Sequence, residues 1–110
     1  MPRLLPAVER ELRDAMEWYE DQRVGLGAEF LAAVDAALGS IGESPERFAA
    51  WPENARFRRF VLRRFPYLVF YHLPSGEPQI VAIAHSMRRP GYWAARVPAP
   101  DRTPKSEETP

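Results

Sequence analysis

At 110 residues the chain has the length of one domain that can bury a core unaided, and with no cysteine it excludes a disulfide framework and a thiolate metal site. No apolar run approaches the roughly 20 residues of a membrane span, and Met1-Pro2-Arg3-Leu4-Leu5-Pro6 has no signal-peptide apolar region, so a cytoplasmic protein without membrane contact is expected. Net charge is zero, yet residues 1–54 carry five arginines against eleven acidic residues (−6), while residues 55–97 carry eight arginines against Glu77 alone (+7).

Leu4 and Leu5 lie between two prolines, with room for only a short strand. Pro6 suits the first turn of a helix, and Glu9 and Glu11 complement its positive end. Val8, Leu12, Ala15, Met16 and Tyr19 recur at helical spacing, which predicts an amphipathic helix over 6–22. Gly25 and Gly27 break it. Leu26, Phe30, Ala33, Val34, Ala37, Leu38 and Ile41 form the stripe of a second helix over 26–42, stopped by Gly42 and Pro45. The short link predicts an antiparallel helical hairpin.

From residue 55 the period changes. Arg56, Arg58, Phe60 and Leu62 fall on one face of a strand, with Phe57, Arg59 and Val61 on the other. Residues 67–73 favour a strand throughout, as expected of a central strand covered on both sides. Pro74 to Pro78 is a turn by composition, and Gln79 to His85 forms a second buried strand. A short helical or turn element begins near Pro90 and holds Tyr92, Trp93 and Arg96. The expected fold is α+β in the order β-α-α-β-β-β, with a three-stranded antiparallel sheet, helices on one face and a short C-terminal helix. Residues 1–97 form the domain. Residues 98–110, poor in apolar anchors, read as a disordered tail.

The basic half contains Arg56, Arg58, Arg59, Arg63, Arg64, Arg88, Arg89 and Arg96, and no lysine. Guanidinium groups favour planar, bidentate contacts with phosphate or carboxylate, so an anionic partner is expected; the alternative is neutralisation of the acidic half within the fold. His85-Ser86-Met87-Arg88-Arg89-Pro90-Gly91-Tyr92-Trp93 follows a central strand and emerges at its end. There His85 is a candidate base, Arg88 and Arg89 can hold a phosphodiester, and Tyr92 and Trp93 can stack on a base. These are the parts of a ribonuclease site that uses no metal. Each residue also has a plainer reading: His85 and His72 as hydrogen-bonded structural residues, Trp93 as a packed anchor, Arg88 and Arg89 as partner contacts. Two histidines far apart in sequence supply no local zinc shell, and no Gly-rich phosphate loop or nucleophile elbow is present. Trp18 and Tyr19, on an acidic amphipathic helix, read as core beside a solvated face.

Glu17-Trp18-Tyr19-Glu20, Gly25-Leu26-Gly27 with Phe30-Leu31, Phe65-Pro66-Tyr67 with Val69-Phe70-Tyr71, and Ala82-Ile83-Ala84-His85 with Arg88-Arg89-Pro90 and Tyr92-Trp93 together resemble the RelE/ParE toxin superfamily. The pattern is similar to the branch often labelled plasmid stabilisation system toxins, and covers residues 4–97. The resemblance implies the fold order derived above and a toxin, without cofactor, encoded beside a small antitoxin whose C-terminal segment wraps and neutralises it. RelE-like members cleave mRNA in the ribosomal A site without a metal; ParE-like members block DNA gyrase.

The resemblance also implies basic residues on the second main strand and an arginine after the tyrosine of the next. Here that position is Leu68, which favours a ParE-like toxin that acts by binding. A nuclease would use Arg63, His85, Arg88, Arg89 and Tyr92. A partner-binding surface would use Arg56, Arg58, Arg59, Arg63, Arg64, Arg88, Arg89 and Trp93. A third reading is a member that only binds a partner through the sheet's basic face.

Overall fold

In the computed structural model, which describes residues 2–98, the first strand, β1 (Arg3–Leu4), is two residues long. Pro6 occupies the first turn of helix α1 (Pro6–Gln22), where its missing N–H costs no hydrogen bond. The link Arg23–Gly25 returns the chain into α2 (Leu26–Glu43), and Gly25, at φ 91°, takes the left-handed conformation this reversal needs. No side chain of its own caps α2. Instead Glu20 of α1 reaches across and accepts hydrogen bonds from the Gly25 and Gly27 N–H groups, at 2.9 and 3.0 Å. The helices pass so closely that a Cβ on Gly27 would lie 2.7 Å from the Met16 carbonyl oxygen.

Four more strands follow: β2 (Ala50–Trp51), β3 (Asn54–Val61), β4 (Tyr67–His72) and β5 (Gln79–His85). The sheet has the order β1-β5-β4-β3-β2, parallel at the β1–β5 edge and antiparallel elsewhere. It is thus a five-stranded mixed sheet, where the sequence predicts a short N-terminal strand and a three-stranded antiparallel sheet; the N-terminal strand is β1, and β2 is the addition. β1 joins the edge beside β5, and β2 adds a two-residue hairpin arm through Pro52-Glu53. Strands of two residues leave no periodicity to read, and Pro52 disguises the second as a loop. The expected C-terminal helix is one 3-10 turn, Ala94–Arg96, after a run of turns. The helices, β4 and β5 otherwise lie within a residue of expectation, and β3 within two. The tail expected over 98–110 falls, Pro98 apart, outside the described residues.

Both sheet faces are covered. Val8, Phe30, Val34 and Ile41 of the helices meet Val69, Tyr71 and Ile80, all 0% exposed, in the larger core. On the opposite face Trp51, Phe57, Phe70, Val81, Ala82, Ala84 and Trp93 form a second core. The expected alternation in β3 holds: Leu62 lies in the helix-side core with Phe60 packed against it, and Phe57 lies in the other. In β5 it breaks, because Phe70 pairs with Ala82 and Tyr71 with Ile80, leaving Val81 as the extra residue of a bulge. Val81 and Ala82 therefore both belong to the second core.

Two outcomes follow for stability. Gly27→Ala forces the helices apart at a backbone contact and is expected to lower unfolding free energy by about 1–3 kcal/mol, read by urea denaturation. The Gly25 and then the Gly27 N–H hold the Glu20 carboxyl below the ordinary glutamate value of 4.5. A depressed carboxyl contributes stability above its unfolded value, and that contribution is lost as pH falls below it. Glu20→Gln is accordingly expected to flatten the loss of stability on acidification below pH 4.5, measured by denaturation at a series of pH values.

Candidate functional site

The site begins where β5 runs out. Ser86 N–H donates to the Pro66 carbonyl at 2.7 Å and Arg88 N–H to the His85 carbonyl at 3.0 Å, which turns the chain sharply off the strand. Gly91, at φ 81°, reverses it again close against Trp51, where a Cβ would sit 3.4 Å from the indole. Trp93 then enters the second core, its ring centroid 5.1, 4.8 and 4.4 Å from those of Trp51, Phe57 and Phe70. At 1% exposure it is the anchor of this segment and offers a partner no free surface.

The turn and the sheet face enclose a cleft of about 190 Å³. Arg59, Arg88, Arg89, His85, Ser86 and Glu53 are its polar lining, and Trp51 and Phe70 are among its apolar lining. Leu68, where the resemblance places an arginine, also lines it. His85 is oriented from two sides. Its ring meets Tyr67 edge to face at 5.2 Å, and its Nδ1 accepts the Met87 N–H at 3.0 Å. With Nδ1 accepting, the neutral ring carries its proton on Nε2, so the remaining ring nitrogen is a donor.

Behind the turn lies a network centred on Glu11. β1 stops at Leu4, and the Leu5 N–H still reaches the Ile80 carbonyl at 3.3 Å, but among the described residues the β5 edge beyond has no neighbouring strand. Side chains take its place. Glu11 accepts the Ile83 N–H at 3.0 Å, and Arg96 donates to the Val81 carbonyl at 3.0 Å. Arg96 and Glu11 pair through both oxygens, at 3.0 and 2.9 Å, and the Tyr92 hydroxyl donates to the same carboxylate. Burial first, then this bond to Glu11, push the Tyr92 hydroxyl far above its ordinary value, which keeps it protonated. The Tyr92 ring in turn lies beneath the Arg88 guanidinium, 3.8 Å from centroid to Cζ.

The predicted site residues are therefore divided. His85, Arg88 and Arg89 converge on the cleft with Arg59. Arg63 is exposed in the turn after β3 and does not line it, and the Tyr92 hydroxyl is engaged by Glu11. The arginines do not form one face. Arg58 donates to the Glu46 and Phe48 carbonyls, at 3.1 and 2.6 Å, and Arg64 pairs with Glu29 of α2 at 2.6 Å. Arg56 donates to the Pro98 carbonyl. Among the described residues the side chains of Arg59, Arg63 and Arg89 have no such partner. Sequence reasoning missed Glu53 and the second role of Glu11. Glu11 stands three residues from Val8 and four from Ala15, within the buried stripe of α1, and a carboxylate there needs a partner.

The family described as "ParE toxin of type II toxin-antitoxin system, parDE" matches residues 3–90. The chain belongs to that family. It is a type II toxin, and the matched span includes Arg59, His85, Arg88 and Arg89 but ends before Tyr92, Trp93 and Arg96. A search of curated proteins finds no match. Among the described residues no helix of this toxin is long and apolar enough to cross a membrane.

The Glu11–Arg96 pair is mostly covered, at 13% and 23% side-chain exposure, so removing one partner strands the other. Glu11→Ala is expected to cost about 3 kcal/mol of stability, and Tyr92→Phe about 1 kcal/mol. Urea denaturation checks both. A cost for Glu11→Ala below about 1 kcal/mol would place the pair with exposed ones.

Proposed function

We propose that this toxin acts by binding, with DNA gyrase as its target in the cytoplasm, and that a cognate antitoxin neutralises it by laying an acidic segment over the cleft. The observation that carries this reading is the set of donor residues that line the cleft together, Arg59, Arg88, Arg89 and His85. Such a set receives carboxylate or phosphate oxygens. The net of +7 over residues 55–97 favours an acidic partner and a fast encounter. Against cleavage, Arg63 lies outside the cleft, the Tyr92 hydroxyl is held by Glu11, and Leu68 brings no charge.

One observation favours a second reading, a metal-independent endoribonuclease acting with the ribosome on mRNA. Glu53 places a carboxylate in the same cleft as the His85 donor, an acceptor and a donor of the kind that acid–base cleavage of a phosphodiester needs.

Induction without antitoxin separates the two. The binding reading expects growth arrest, inhibition of gyrase supercoiling by the purified toxin, and intact messages by primer extension. Arg88→Ala with Arg89→Ala is expected to weaken the inhibition roughly tenfold or more, as for the loss of charge-assisted contacts. Antitoxin affinity is expected to fall as salt rises from about 0.05 to 0.5 M. Message cuts that vanish in Glu53→Gln or His85→Ala would establish the second reading in place of the first.

A further inference from the structure

We infer that Glu11, on the helical layer, is a positioning residue for Arg88 at the cleft, acting through the ring of Tyr92. The inference rests on reading the cleft as an anion-binding site, and the test below separates the two. Arg88 is exposed, sits in a turn, and is a long side chain that ordinarily loses rotamer freedom when it binds. Here it has a platform, with its guanidinium 3.8 Å from the Tyr92 ring centroid. The platform is itself fixed. Its hydroxyl donates to Glu11, and Arg96, which grips the same carboxylate at 3.0 and 2.9 Å, lies 5.2 Å from the ring. Glu11 also holds the Ile83 N–H at 3.0 Å, so its own position is set by β5. Helix α1, β5 and the C-terminal segment thus meet at one carboxylate, and Arg88 is aimed by what that carboxylate holds.

Arg89 provides an internal control. It lines the same cleft but has no aromatic platform and no ion-pair partner among the described residues. If Glu11 served folding alone, its loss would affect binding through Arg88 and Arg89 alike. If it positions Arg88, its loss matters only while Arg88 is present.

The test pairs a ligand-free measurement with a binding one, on the full chain. In the wild-type protein the Arg88 Nε–H proton resonance is expected upfield of that of Arg89, shifted by the Tyr92 ring current. Tyr92→Leu should return it to the Arg89 value, and Glu11→Gln should move it most of the way. Tyr92→Phe, which keeps the ring and loses the tether, serves should Glu11→Gln fail to fold. The binding probe is a fluorescein-labelled oligoglutamate peptide. Each variant is expected to weaken it about two- to tenfold, the cost of ordering one long side chain, and to have no further effect on an Arg88→Ala background. On an Arg89→Ala background the effect should persist in full. An Arg88 resonance unmoved in folded Tyr92→Leu overturns the inference, as does additivity with Arg88→Ala. Equal binding by wild type and Arg88→Ala would instead overturn the anion-site reading, while the resonance still decides the positioning.

Discussion

The early end of β1 is the constraint on which the rest of the molecule depends. A two-residue edge strand leaves the Val81 carbonyl and the Ile83 N–H of the most buried strand without a neighbour. Unsatisfied backbone groups in such a place cost as much as lost hydrogen bonds. The chain satisfies them from two distant positions, with Glu11 from the first helix and Arg96 from the last turn. Bringing a carboxylate and a guanidinium to the same edge then pairs them with each other. That pairing draws residues 91–97 over the sheet, where Trp93 closes the second core. The same closure bends residues 86–90 around one end of the cleft. The cleft is, in this sense, a consequence of how a sheet edge is finished.

The charge division acquires a different meaning in the fold. The sequence suggests one arginine-rich face, but four of its eight arginines are tied to acceptors elsewhere: Arg56 to the Pro98 carbonyl, Arg58 to loop carbonyls, Arg64 to α2 and Arg96 to α1. Arg64–Glu29 is exposed on both sides, so it orients the β3–β4 turn more than it stabilises the domain. Arg96–Glu11 is mostly covered and hydrogen-bonded throughout, so it belongs to the core's polar framework. Of the remaining four, Arg63 is exposed away from the cleft, while Arg59, Arg88 and Arg89 line it together at one end of the sheet.

Much of the fold was legible because its periodicities are strong. The helical stripes from Val8 to Tyr19 and from Leu26 to Ile41 fix both helices within a residue, and Gln79 to His85 is bounded by Pro78 and a polar turn. What escaped has definite physical causes. β2 is shorter than any repeat, and the parallel pairing of β1 with β5 is set by contacts distant in sequence. The Val81 bulge is invisible in a strand whose residues are apolar on both faces. The site was half legible: the order Ala84-His85-Ser86-Met87-Arg88-Arg89 at a strand end places five cleft residues, His85, Arg88 and Arg89 among them, by proximity in sequence. Arg59 and Glu53 come from β3 and the turn before it, and strand pairing alone brings them there. Tyr92 misled because its chemistry suggests a free hydroxyl, whereas its partner lies 81 residues away on α1.

Along the sequence, the cleft and its support separate at Pro90. Residues 3–90 carry the family match and the charged residues that line the cleft. The support comes from Tyr92, Trp93 and Arg96, outside that span, together with Glu11 inside it. A binding set of arginines needs rigidity more than it needs additional charge, since each flexible guanidinium gives up affinity when it is ordered. Arg59 draws rigidity from its strand. Arg89 has none beyond its backbone. Arg88 has an aromatic ring held by a mostly covered carboxylate, and it is the member of the set that lines both the cleft and the neighbouring groove along α1, a space of about 250 Å³. The residue with two surfaces to serve is the one the fold constrains from behind.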